Sequence, residues 1–126
     1  MLRAVAKTES GGSGRTKAVS PKGARGEFQV MPATAKELGY TPEEMHDEEY
    51  GAEAGARHLK RLREQSGSWS DAVAAYNAGA ARVAYRKKTG EPLPPETREY
   101  VRRVRRRSGE HRISGRDIEE ALGGGQ

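Results

Sequence analysis

Cysteine is absent from this 126-residue chain, which excludes a disulfide framework and a thiolate metal site and leaves the fold to its apolar core. The three histidines, His46, His58 and His111, lack the His-x-x-x-His spacing that sets two ligands on one helical face, so a metal site is not expected. Long hydrophobic runs are also missing. None approaches the roughly 20 residues a spanning helix needs, so no transmembrane segment is expected, and the residues ahead of Glu9 offer no apolar stretch suited to a secretory signal. Hydrophobic and charged residues each make up 33% of the chain, which suits one small domain with a wet surface. No internal repeat is evident.

What is abundant is positive charge, with a net charge of +5 and a pI of about 9.7. That balance favours an anionic partner. Nucleic acid, a membrane surface and an anionic wall polymer all fit, and charge alone does not choose among them.

Helix signals dominate the chain. Leu2, Val5, Ala6 and Glu9 recur at i, i+3, i+4 and i+7, so Glu9 shares the apolar face of a first helix that Gly11 and Gly12 stop. Residues 10–17 are small, polar and glycine-rich and read as a mobile loop, followed by a turn at Ser20-Pro21-Lys22-Gly23. Gly26 to Met31 reads as a strand. Pro32 suits the first position of a helix over Ala33 to Leu38, closed by Gly39. Thr41 with Glu44 makes a capping box, and Asp47 can cap the next helix, which runs to about Gln65 and buries Ala52, Gly55, Ala56, Leu59 and Leu62. Ser70 and Asp71 open a helix through Asn77 that Gly79 breaks. It resumes over Ala80 to Lys88, and a stiff connector with Pro92, Pro94 and Pro95 leads into a final core helix with Thr97, Tyr100, Val101 and Val104 inward. An Arg-rich stretch, a short amphipathic turn over Ile113 to Leu122 and a glycine tail end the chain.

Five short segments stand in a telling order: Thr8-Glu9-Ser10, Ala18-Val19-Ser20-Pro21, Gly26-Glu27-Phe28-Gln29, Ala75-Tyr76-Asn77-Ala78-Gly79 and Glu96-Thr97-Arg98-Glu99-Tyr100. Together, from about Leu2 to Val104, they resemble the catalytic domain of the soluble lytic transglycosylases, relatives of goose-type lysozyme. The resemblance implies a mainly helical, lysozyme-like (α+β superfamily) single domain with a small β element beside the cleft. Residues 1–107 would form the catalytic domain, and 108–126 a basic, Gly-rich tail with a short amphipathic helix. It further implies a monomer that acts at the bacterial cell wall on peptidoglycan strands and cuts between N-acetylmuramic acid and N-acetylglucosamine. The expected product carries a 1,6-anhydro sugar, and no cofactor is needed. Hydrolysis by a muramidase, or a wall-binding module without turnover, are the alternatives.

In that family a single Glu, followed by Ser, serves first as acid to the bridging oxygen and then as base toward the 6-hydroxyl of the same sugar, and Glu9 and Ser10 match the pair. Residue chemistry agrees for Glu9. A carboxyl on an apolar face in the last turn of a helix is held neutral by burial and by the negative end of the helix dipole. Taken alone, Glu9 is equally a solvated residue at a fraying end, and Ser10 equally a helix cap.

The resemblance assigns Ser20, Phe28, Gln29, Tyr76, Asn77, Glu96 and Tyr100 to binding sugar or positioning the acid. Gln29 offers an amide to an N-acetyl or hydroxyl group, Tyr76 a stacking face and a hydroxyl, and Asn77 an amide. Tyr100 is suited to orienting the Glu9 carboxyl, while Glu96 is equally a residue satisfying the N-terminus of its own helix. Ser20 before Pro21 is also an ordinary turn. Trp69 reads as packing more readily than as a sugar platform.

Departures from the family pattern are specific. Phe28 stands where Met is common, with an aromatic face that can stack on a sugar. Glu27 replaces an apolar residue, and in a strand it would share one side with Gln29, bringing a second carboxylate toward the cleft. A solvated glutamate at the rim is the simpler reading. Ala80-Ala81 replaces Pro-Gly, and the stretch from Glu9 to Gly26 is about two residues longer than usual, a length loops accept. The arginines from Arg102 to Arg116 lack interleaved aromatics, which argues against a specific nucleic-acid surface. They fit a solvated helix face or attraction to anionic wall polymers.

Overall fold

The computed structural model describes residues 1–12, 14–109 and 113–123. The expected loop at Ser13, the basic stretch at Glu110, His111 and Arg112, and the glycine tail at Gly124 and Gly125 lie outside the described residues.

Seven α-helices and one 3₁₀ helix carry these residues: α1 Leu2–Ser10, α2 Pro32–Glu37, the 3₁₀ helix Pro42–His46, α3 Glu48–Ser66, α4 Trp69–Ala78, α5 Ala80–Thr89, α6 Pro95–Ser108 and α7 Arg116–Ala121. The boundaries follow local chemistry. Gly11 ends α1 in the left-handed conformation, Thr41 and Glu44 close a reciprocal capping box, and the Asp47 side chain accepts from Glu49 and Tyr50 N–H groups at the head of α3. The start of α4 differs from expectation: Ser68 is the cap and accepts from Asp71 N, so the pair is Ser68 with Asp71, and Ser70 lies inside the helix.

The longest helix, α3, is the centre of the packing. Its buried face is made of Gly51, Ala54, Gly55, Ala56, Leu59 and Leu62, and the small residues let neighbouring chain approach the helix backbone closely. Phe28 fills that space. A Cβ on Gly55 would lie 2.5 Å from the Phe28 ring. One core cluster joins Val5 and Ala6 of α1, Phe28, Val30, Leu59, Val73, Tyr100 and Val104. A second gathers Leu62, Ala72, Ala75 and Val83, and Trp69, Tyr76 and Val101 pack against both.

The expected strand over Gly26 to Met31 is not there. Residues 26–29 form a turn bounded by isolated bridges between Val19 and Arg25 and between Arg25 and Val30, so the small β element is reduced to those bridges among the described residues. The reason is local and steric. Gly26 adopts φ +80°, and its Cβ position would fall 1.9 Å from Met45 O, so the chain turns where glycine alone fits. Gln29 follows with φ 51°.

The C-terminal stretch is not peripheral to the core. Ile113 and Ile118 belong to the same core cluster as Val5. Gly115 lies against Trp69, with a Cβ position 2.0 Å from the indole, and Asp117 Oδ2 accepts from the Met1 amine at 2.9 Å and from Leu2 N at 2.6 Å. Trp69 is thus a packing residue shared by α4 and the segment leading into α7. No helix among the described residues is long and apolar enough to cross a membrane.

Candidate active site

Helices α1 and α6 pack side by side, which brings Glu9 and Tyr100 together. Tyr100 Oη donates to Glu9 Oε2 at 2.7 Å. Tyr100 is 7% exposed, and burial together with the nearby Glu9 charge pushes its phenol well above its usual range, so it remains a donor. Burial acts on Glu9 as well. It raises the carboxyl from an ordinary 4.5 to about 7, against the smaller opposing effect of the Tyr100 hydrogen bond. A carboxyl of that kind is substantially protonated at neutral pH, which a proton donor to a leaving oxygen requires.

A cleft of about 400 Å³ opens over this pair, lined by Thr8, Glu9, Asn77, Glu96, Glu99, Tyr100 and Arg103. Four of the seven are on α6. Their numbers, 96, 99, 100 and 103, trace one helical stripe, so a single helix face supplies half the wall. Asn77 Oδ1 accepts from Thr97 Oγ1 at 2.9 Å, which fixes the amide plane and leaves its Nδ2 donors for the cleft. Glu96 is exposed in the first turn of α6 without capping it through a side-chain hydrogen bond. Glu99 is held by three guanidiniums, those of Arg102 at 2.9 Å, Arg103 at 3.3 Å and Arg106 at 3.7 Å. The Arg102 hydrogen bond foremost, together with the Arg102 and Arg103 charges, lowers its pKa.

Tyr76 supports the site from behind. Its hydroxyl donates to Phe28 O at 2.6 Å, and burial plus the Glu9 charge pushes the phenol well above its usual range. Its ring meets His58 at 5.2 Å between centroids. That histidine is held neutral at ordinary pH, its pKa lowered to about 4 by burial and then by the Arg61 charge.

Several expected site residues take other places. Phe28 is 1% exposed and its ring lies against Gly55 and under the Arg3 guanidinium, so no face is offered to a sugar. The backbone carbonyl of Phe28 is instead its link to the site, through Tyr76. Glu27 does not face the cleft beside Gln29, because the turn removes the strand alternation that would place them together. Nor is it a solvated rim residue: it is 3% exposed, and Arg3 Nη1 and Nη2 approach its Oε2 at 3.3 and 3.2 Å. Ser20 and Gln29 are not among the residues lining the cleft around Glu9. The Ser20 hydroxyl accepts from Ala24 N and organises its turn, and Gln29 Nε2 donates to Gly26 O at 2.9 Å. Ser10 Oγ lies 2.8 Å from Glu27 O and 3.1 Å from Ala6 O, tying the end of α1 to the turn.

Arg103 of the cleft lies outside the five motif segments, and Glu99, inside the fifth, has no role assigned by the resemblance. Their signal in the sequence is the spacing of three and seven residues from Glu96, which matters once α6 is known to face Glu9.

A family model described as the transglycosylase SLT domain matches residues 1–95. That span takes in Glu9, the 26–29 turn, Tyr76 and Asn77 and stops just before Glu96 and Tyr100. A protein of Enterobacteria phage PRD1 described as a transglycosylase is 36% identical over 89 residues, which cover 71% of this chain and 32% of that protein. The chain thus spans about a third of the length of that relative. With three quarters of its residues inside the family model, the chain belongs to the transglycosylase SLT domain family.

Proposed function

We propose that the protein is a peptidoglycan lytic transglycosylase that cleaves the β-1,4 bond between N-acetylmuramic acid and N-acetylglucosamine and leaves 1,6-anhydromuramic ends. The observation that carries this reading is Glu9: a carboxyl raised to about 7 by burial, bonded to Tyr100 and open to a cleft. In the proposed cycle the neutral Glu9 gives its proton to the bridging oxygen as the bond from C1 of the muramic sugar breaks. The substrate's N-acetyl carbonyl supports the cationic carbon. The Glu9 carboxylate then takes the proton of the C6 hydroxyl while O6 closes on C1, and the acid is restored with no water consumed.

Engagement of Glu27 by Arg3 counts against its use in a two-carboxylate, water-activating scheme, which would need its second carboxyl across the scissile bond. Asn77 supplies amide donors to the sugar, Ser20, Gln29 and Tyr76 act by holding the turn, and Tyr100 holds the acid. The substrate places the activity at the bacterial cell wall, and the exposed arginines of α6 favour approach to its anionic polymers.

Mass spectrometry of muropeptides released from purified sacculi tests the reading. Anhydro ends support it, reducing ends one water heavier would assign hydrolysis with Glu96 or Glu99 as the second cleft carboxylate, and absence of release would make the domain a wall-binding module. Glu9→Gln should lower the rate by at least about 10² without unfolding the protein.

A further inference from the structure

The cleft has a polarity along α6. At its N-terminal end Glu96 is exposed, whereas at the other end Arg103 lines the same space as Glu9, and Arg107, one turn on, donates from Nη1 to Thr8 Oγ1 at 2.9 Å. Thr8 is itself a cleft residue, so Arg107 is held on the rim beside the acid.

Cations outnumber carboxylates at this end of the cleft. Glu99 is shared among Arg102, Arg103 and Arg106, so one carboxylate serves three guanidiniums, and Arg107 has no carboxylate within ion-pair distance among the described residues. Arg103 approaches Glu99 through Nε at 3.3 Å with a side chain 56% exposed. It lines the cleft, and a guanidinium can receive a carboxylate through two parallel hydrogen bonds.

We infer that Arg103 and Arg107 form a carboxylate subsite beside Glu9 that recognises the peptide carried on the muramic lactyl group. The inference rests on the transglycosylase reading. The sugars of the strand are neutral, and the anionic groups near the scissile bond belong to that peptide, so a cationic wall at one end of the cleft both selects peptide-bearing strands and fixes which way a strand lies across Glu9. Because the peptide is remote from the bond that breaks, its binding is expressed mainly in KM.

The test compares peptide-bearing glycan strands with the same strands after their carboxyls are converted to neutral methylamides, cut by the wild-type protein and by Arg103→Gln, Arg107→Gln and the double variant. The quantity read is the ratio of kcat/KM for free-carboxylate over amidated strands. That ratio should fall about tenfold in the double variant, as a higher KM on the free-carboxylate strands, with Arg103→Lys retaining part of it. An unchanged ratio, or a loss seen in kcat on both substrates, would overturn the subsite. Failure of the wild type to cut either strand, with native unfolding behaviour, would instead overturn the transglycosylase reading on which it rests. Both arginines are on the surface of α6, so thermal unfolding of the variants should match the wild type.

Discussion

Tyr100 Oη donates to Glu9 Oε2 across 91 residues of sequence, at 2.7 Å, and the bond opposes the rise that burial imposes on the carboxyl. Tyr100→Phe removes this stabilisation of the charged form, so the Glu9 pKa should move above about 7. The alkaline limb of the pH–rate profile should shift upward in the variant, while the rate falls roughly tenfold through poorer orientation of the acid. An alkaline limb that stays in place would show that Tyr100 does not act on Glu9.

Glu9 also makes a stability prediction. Its native pKa of about 7 is above its ordinary 4.5, so the folded state binds this proton more tightly than the unfolded state. Its contribution to stability is fully present below about pH 4.5 and is lost as pH rises through 7. Relative to Glu9→Gln, which cannot ionise, the wild type should lose on the order of 3 kcal/mol between pH 4.5 and pH 8. Denaturant unfolding of both proteins at the two pH values checks this, and parallel changes would remove Glu9 as the cause.

The Arg3–Glu27 pair couples a buried carboxylate to an exposed guanidinium. Arg3→Met strands the carboxylate and should cost about 1–3 kcal/mol, whereas adding Arg3→Met to a Glu27→Leu protein should cost much less. Glu27→Leu should still release anhydro products from sacculi. Complete loss of activity in a folded Glu27→Leu protein would return Glu27 to the chemistry.

Two glycines with similar backbone angles separate strain from close approach. Gly23 has φ +94° with open space around it, while Gly26 has φ +80° with Met45 O 1.9 Å from where a Cβ would stand. Gly23→Ala should cost about 1 kcal/mol of backbone strain. Gly26→Ala must also displace backbone under the turn that supplies Phe28 O to Tyr76, and should cost several times more and lower activity with it. Equal unfolding midpoints for the two variants would contradict this.

The 126 residues by themselves determined the helices, their stops and the placing of Glu9 on an apolar face. Those features depend on partners within about four residues: Leu2, Val5 and Ala6 repeat with the helical period, Thr41 bonds to Glu44, and Gly11 turns left-handed after its own helix. The ordered motifs likewise carried the family and marked Glu9, Asn77, Glu96 and Tyr100 for one site. Tertiary structure decided the rest. The 26–29 segment has the alternation of a strand, yet it turns because Met45 O and the bare backbone at Gly55 shape the space it enters, and no residue within it encodes those neighbours. Phe28 went inward and Glu27 met Arg3 for the same reason. The proton affinity of Glu9 is also a tertiary property, since desolvation depends on which elements cover a carboxyl, and it is the packing of α6 against α1 that covers this one and sets Arg103 at its side.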